Sequence, residues 1–154
     1  MVDAGSERTE ADVLDELERL VDAGELIGRG DTFLDMAGGL VDRFLATGTF
    51  GIAEDPFGGK DASLLADDHA YYLMLWRIFD QTPAAALADF AIKVRRILAK
   101  RIFKHVGEGV IFHHDVYILS GQNTSLGDGV FVNRGATLDD RGPITIGDHT
   151  MIAA

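Results

Sequence analysis

The sequence predicts an α+β chain, helical over residues 1–104 and built as a coil of short parallel strands over 105–154. Three observations lead there. Apolar residues upstream of His105 recur at helical spacing, and no glycine occurs between Asp61 and Lys104. After His105 the pattern changes to a double period of six and twenty residues. Composition bounds the rest. With 154 residues, 47% of them hydrophobic, the chain can bury a core. The absence of cysteine excludes a disulfide scaffold, a thiol nucleophile and a cysteine-held metal or cluster. No apolar run reaches the 18 residues of a spanning helix, and the acidic first 25 residues are unlike a leader, so a cytoplasmic chain is expected. A net charge of −11 makes nucleic acid a poor general partner.

The first helix is expected over 9–24, where Val13, Leu14, Leu17, Leu20 and Val21 share a face. Thr9 or Asp12 can cap its start and Gly24 its end. A second is expected over 31–46, although the Gly38-Gly39 pair weakens it. Glycine and proline then crowd residues 47–60, a loop. Two further helices fit 65–80 and 83–104, the last with Pro83 in its first turn. His69, following Asp67 and Asp68, reads as part of a helix start, where acids are favoured.

That last helix carries two stripes. Leu87, Phe90, Ala91, Val94, Ile97 and Leu98 form the apolar one, and Lys93, Arg96, Lys100 and Lys104 the basic one. Residues 84–104 hold six bases and one acid, which leaves 8 bases and 24 acids elsewhere. The basic stripe suits either an anionic partner or a face lying against the acidic N-terminal helices or solvent.

From Val106 the segment V-G-E-G-V-I recurs as L-G-D-G-V-F at Leu126 and as I-G-D-H-T-M at Ile146, each time 20 residues on. Within each unit aliphatic or aromatic residues open hexads at Val106, Phe112 and Ile118, then Leu126, Val132 and Leu138, then Ile146 and Ile152. Each turn is three hexads plus two residues. A short strand and a corner every six residues generate a three-faced coil. The first hexad position points inward, beside a small or β-branched residue at the fifth (Val110, Val116, Val130, Ala136, Thr150). Glycine at the second position eases the corner. One such coil cannot bury its own edge, so coils stack. Each buried aliphatic contributes roughly 1.5–3 kcal/mol.

This stretch resembles the hexapeptide-repeat acyltransferases, whose motif is [LIV]-G-x-x-[TVSA]-x, and most nearly the maltose, galactoside and serine O-acetyltransferase group. The resemblance covers about 106–154 and implies an incomplete left-handed parallel β-helix of about 2.5 coils. It further implies a homotrimer, acetyl-CoA as cosubstrate and a sugar-like hydroxyl as acceptor. Phe131-Val132-Asn133-Arg134-Gly135-Ala136-Thr137-Leu138-Asp139-Asp140 looks like the family's F-x-N-x-x-x-x-x-D core. Asn133 matches its Asn and Asp140, or Asp139, its Asp, the residues that face the acceptor. Many relatives carry Cys where Ala136 stands. The resemblance places the family's general-base His about one coil beyond the I-G-D hexad, past Ala154, along with most of the CoA site. The expectation is therefore a C-terminally truncated enzyme, inactive as this 154-residue chain, with no catalytic residue assigned. A non-catalytic trimeric β-helix scaffold with a partner-binding helical module is the alternative.

The remaining motifs carry less. His113, His114 and His149 stand at hexad corners, where side chains usually face solvent. The alternative is a metal site like that of the γ-class carbonic anhydrases of the same fold, whose three histidine ligands come from neighbouring coils. Here the separations of 35 and 36 residues do not match two turns of 20, so no metal is expected. Phe57-Gly58-Gly59-Lys60-Asp61 has only part of a phosphate loop, and Ser120 and Ser125 have no triad partner legible in the sequence.

Overall fold

The computed structural model describes residues 8–45 and 68–153. The expected 47–60 loop, with its phosphate-loop-like segment, and residues 65–67 of the third expected helix lie outside them. Helix α1 (Glu10–Asp22) is capped by Thr9. The Asp12 backbone N–H donates to Thr9 Oγ1 at 3.2 Å, and Asp12 Oδ2 accepts the Thr9 N–H at 2.7 Å. Thr9 is thus the cap and Asp12 its reciprocal partner in a capping box. At the other end Gly24 takes φ +70°. Its N–H donates to the Val21 carbonyl and the Glu25 N–H to that of Leu20, closing the helix in a Schellman turn.

Helix α2 (Gly30–Leu45) runs through the Gly38-Gly39 pair. Gly30 at its start accepts no side chain, because a Cβ there would stand 2.6 Å from the Tyr71 hydroxyl, which accepts the Gly30 N–H at 2.7 Å. Helix α3 (Asp68–Asp80) buries Tyr71, Tyr72, Leu73, Leu75, Trp76 and Phe79. The expected helix over 83–104 is divided. Pro83–Ala86 form a 3-10 turn that buries Ala84, Leu87 leaves helical geometry with ψ 86°, and α4 (Ala88–Ile102) follows. Proline suits a first turn, but here the turn it opens is a separate one. In α4 the apolar stripe faces inward through Phe90, Ala91, Val94, Ile97 and Leu98.

Eight short strands follow: β1 (His105–Val106), β2 (Ile111–Phe112), β3 (Tyr117–Ile118), β4 (Thr124–Leu126), β5 (Phe131–Val132), β6 (Thr137–Leu138), β7 (Ile144–Ile146) and β8 (Met151–Ile152). They form three parallel sheets in the orders β1-β4-β7, β2-β5-β8 and β3-β6. Every pairing joins residues 20 apart, such as Val106 with Leu126 and Leu126 with Ile146. The chain therefore visits the three sheets in rotation, one turn per repeat. Phe112, Ile118, Leu126, Val132 and Leu138 are buried, as are Val110, Val116, Val130 and Ala136 beside them. Thr150, the remaining fifth-position residue, is exposed.

The corners differ from the sequence expectation in an informative way. Positive φ belongs to the fourth hexad position, at Gly109, Asp115, Gly121, Gly129, Gly135 and His149. The second-position glycines are needed for a different reason. A Cβ on Gly107 would stand 2.5 Å from the Asp128 backbone nitrogen, and one on Gly127 2.8 Å from that of Asp148. Successive turns are stacked too closely at this corner for any side chain. The third position holds them there. Asp128 Oδ1 accepts the Glu108 N–H at 2.8 Å, and Asp148 Oδ1 accepts the Asp128 N–H at the same distance.

The helical layer closes the first turn of the coil. Phe112 lies edge-on to Trp76, with ring centroids 5.2 Å apart, and stacks on Phe103 at 5.3 Å. Arg96 Nε donates to the Val110 carbonyl at 2.9 Å and Arg77 Nη2 to that of Ile118 at 2.8 Å. These cations supply donors on the side of the first turn where no further strand lies among the described residues. Lys100 pairs with Glu18 at 2.7 Å and Arg101 Nη2 donates to the Val21 carbonyl. Of the four stripe residues, Lys100 thus meets the acidic α1, Arg96 meets the coil, and Lys93 and Lys104 are exposed. Among the described residues no helix is long and apolar enough to cross a membrane.

Candidate functional site

The hexad rhythm positions the candidate acceptor residues on two corners. Asn133, at a second hexad position, is half-buried on the corner between β5 and β6. Its Oδ1 accepts the Arg134 N–H at 2.8 Å, and its own N–H donates to the Ile152 carbonyl at 2.9 Å. Asp139 and Asp140 follow β6 on the next corner, so the strand Thr137–Leu138 separates them from Asn133. The structure does not gather the three into one cluster within the chain.

The two aspartates have opposite surroundings. Asp139 is exposed, and Arg141 binds it through Nη2 and Nε, which holds its carboxyl below the usual range. Asp140 is 1% exposed. Its Oδ1 accepts the Ser120 N–H at 2.9 Å and its Oδ2 the Asn123 N–H at 3.0 Å. Its carbonyl accepts Asn123 Nδ2 at 2.9 Å. Burial alone would raise the Asp140 carboxyl, but the backbone N–H groups of Asn123, Gly121 and Ser120 outweigh it and hold the group below its ordinary value. Asp140 therefore does at this corner what Asp128 and Asp148 do at the first: from a third hexad position it ties down the turn 20 residues before it. Both its oxygens are occupied, while Asp139 and Asn133 keep solvent-facing surface.

A cleft of about 480 Å³ opens between the C-terminal part of α3 and the corner joining β2 to β3. Trp76, Arg77, Asp80 and Gln81 wall it from the helix, and His114, Asp115, Val116 and Tyr117 from the coil, with Arg134 from the next turn. Beneath it lies an ion pair. Arg95, 2% exposed, donates through Nε at 2.7 Å and Nη2 at 2.5 Å to Asp80 Oδ1. Asp80 Oδ2 accepts the Asp115 N–H at 3.0 Å, which steadies Asp115 at φ 61°. Burial pushes the Asp80 carboxyl up, against the opposing pull of Arg95 and that N–H. Asp80 thus connects α3, α4 and the corner that carries His114.

The histidines fall apart from one another. His113 packs on Phe131 with ring centroids 5.0 Å apart, His114 lines the cleft, and His149 covers Gly129, whose Cβ would stand 2.5 Å from His149 Nδ1. His69 Nε2 lies 3.1 Å from the Ile102 carbonyl. Among the described residues no three His, Asp or Glu side chains stand close enough to share a metal ion.

Sequence reasoning missed the Asp ladder and the cleft. The first was present in the pattern, since Glu108, Asp128 and Asp148 recur at 20-residue steps and Asp140 occupies the same hexad position. The second had no local signal, because its walls come from residues 76–81, 114–117 and 134. Compared with family models, curated proteins and solved structures, the chain gives no match.

Proposed function

We propose that residues 105–154 form part of the left-handed β-helix of a hexapeptide-repeat acyltransferase, serving O-acyl transfer from acetyl-CoA to a sugar-like hydroxyl in the cytoplasm. The observation that carries the reading is the unbroken 20-residue parallel register through three sheets, with the hexad-opening side chains inside. In this reading Asn133 and Asp139 contact the acceptor, and Asp140 shapes the corner that presents Asp139. Proton abstraction is assigned to none of the five histidines.

Assembly into a homotrimer belongs to the same proposal. The outward residues of the β2-β5-β8 sheet are Ile111, Phe131 and Met151, the last 72% exposed, whereas those of the β1-β4-β7 sheet are His105, Ser125 and Thr145. An apolar ladder on one face alone favours covering that face with another copy.

The test uses the purified 154-residue chain with acetyl-CoA and a panel of hydroxyl sugars. Calorimetry is expected to find a sugar whose binding weakens about tenfold in Asn133→Ala, equivalent to about 1.4 kcal/mol. Release of free CoA is expected to stay at background. Sedimentation is expected to give a trimer that Met151→Glu dissociates. Failure of every sugar to bind, or equal binding by Asn133→Ala, refutes the acceptor assignment. CoA release above background refutes the absence of a base.

A further inference from the structure

We propose that the cleft between α3 and the coil binds a planar small-molecule anion, its carboxylate or phosphate against Arg134 and His114 and its ring against Tyr117. The inference does not rest on acyl transfer.

Arg134 carries the argument. The protein is strongly acidic, and the other arginines whose side chains are described, which leaves out Arg43, are engaged. Arg19 and Arg29 pair with glutamates, Arg95 and Arg141 with aspartates, and Arg77, Arg96 and Arg101 with backbone carbonyls. Arg8 reaches the Met36 sulfur. Arg134 alone among them has a guanidinium with no hydrogen bond or ion pair, and it lines the cleft. A planar guanidinium left open beside a cavity is suited to bidentate recognition of a carboxylate or phosphate.

The charges around it leave room for an anion. Asp80 is neutralised by Arg95 beneath the cleft. Asp115 remains as the acid of the rim, opposed by Arg77 and Arg134, with His114 as a further donor. The remaining walls are Trp76, Tyr117, Val116 and Gln81. Tyr117 is 50% exposed, and the Arg77 guanidinium lies over its ring at 5.4 Å, so one ring face already carries a cation. Trp76, 1% exposed, has an indole N–H that meets no acceptor among the described residues. The cleft's volume falls in the range of small-ligand sites, about 300–1,000 Å³. An inorganic ion alone would leave the Tyr117 wall unused.

Trp76 is the chain's one tryptophan, so its emission reports on the cleft directly. The full chain is titrated with phenyl phosphate, benzoate, inorganic phosphate and phenol. A saturable change in Trp76 emission is expected with phenyl phosphate or benzoate, at least about tenfold weaker with inorganic phosphate or phenol. Arg134→Ala is expected to weaken the response by about tenfold or more, while Arg29→Ala, on the distant α1–α2 connection, leaves it unchanged. Both variants are checked by circular dichroism, since neither side chain is buried. No saturable change with either aryl anion overturns the proposal. So does equal binding by Arg134→Ala, or inorganic phosphate binding as well as phenyl phosphate.

Discussion

Replacing Asp140 by alanine separates a structural carboxylate from an acceptor-binding one. The side chain is 1% exposed and both oxygens accept backbone N–H groups, Ser120 at 2.9 Å and Asn123 at 3.0 Å. A hydrogen bond to a charged partner contributes roughly 1.5–3 kcal/mol, and a donor left unmet in a buried corner costs a comparable amount. Two such donors share one carboxylate, so Asp140→Ala is expected to destabilise the chain by about 2–5 kcal/mol. Asp140→Asn keeps one acceptor oxygen and turns an N–H toward the other donor, with about half that loss. The assay is urea unfolding followed by circular dichroism. With a slope of about 1–3 kcal/mol per molar, the alanine variant's midpoint falls by about 1–3 M. The pH dependence supplies a second check. The folded carboxyl lies below its ordinary value of 3.8, so its contribution is complete above that value. It is lost as pH falls through the depressed folded value. The gap between wild type and Asp140→Ala is therefore expected to narrow as pH falls below 3.8. A change under about 0.5 kcal/mol at pH 7, or a gap undiminished in acid, refutes the staple role.

Further variants probe the stacking and the helical layer. Gly127→Ala is expected to cost about 1–3 kcal/mol in urea unfolding, because its Cβ would meet the Asp148 backbone, while Gly147→Ala, with open space around it, stays within about 0.5 kcal/mol. Phe112→Ala empties the site between Trp76 and Phe103 and is expected to lose about 3–5 kcal/mol, with a red shift of Trp76 emission as water enters. Asp80→Asn leaves Arg95 buried without its countercharge and is expected to cost about 3–5 kcal/mol, measured by thermal unfolding. Asp80→Asn and Arg95→Met together are expected to recover much of that loss, because the uncompensated charge is gone.

The repeat was legible because it is enforced residue by residue. An inward aliphatic every six positions and a strand partner every 20 leave a periodic trace in the sequence, and Phe112, Val132 and Leu138 lie buried where that trace puts them. Helix α1 was legible for a similar reason, since Thr9, Asp12 and Gly24 act through neighbours a few residues away. The interruption at Leu87 was not, because a 3-10 turn that buries Ala84 depends on packing among elements distant in sequence. The basic stripe of α4 was ambiguous for the same reason. Whether Arg96 meets a carbonyl or a foreign anion depends on where Val110 lies. At the candidate site, Asn133 and Asp139 could be named from a motif. The motif did not reveal that Asp140 is consumed by the Ser120 and Asn123 N–H groups. Of the cleft residues only His114 stood out in the sequence, because nothing there separates Arg134 from any other surface arginine.

The Asp ladder also gives the coil a direction in time. Two of its three corners are secured by a carboxylate about one turn downstream, Glu108 by Asp128, Asp128 by Asp148, and Ser120 by Asp140. During synthesis a newly emerged turn therefore waits for its successor before its own corner is closed. At about 5–20 residues per second that wait is about 1–4 s per turn. The helices are complete before the first turn emerges, so Arg77, Arg96 and Phe103 offer a ready seat for it. Folding then proceeds from the helical end outward, with each arriving turn fastening the one before.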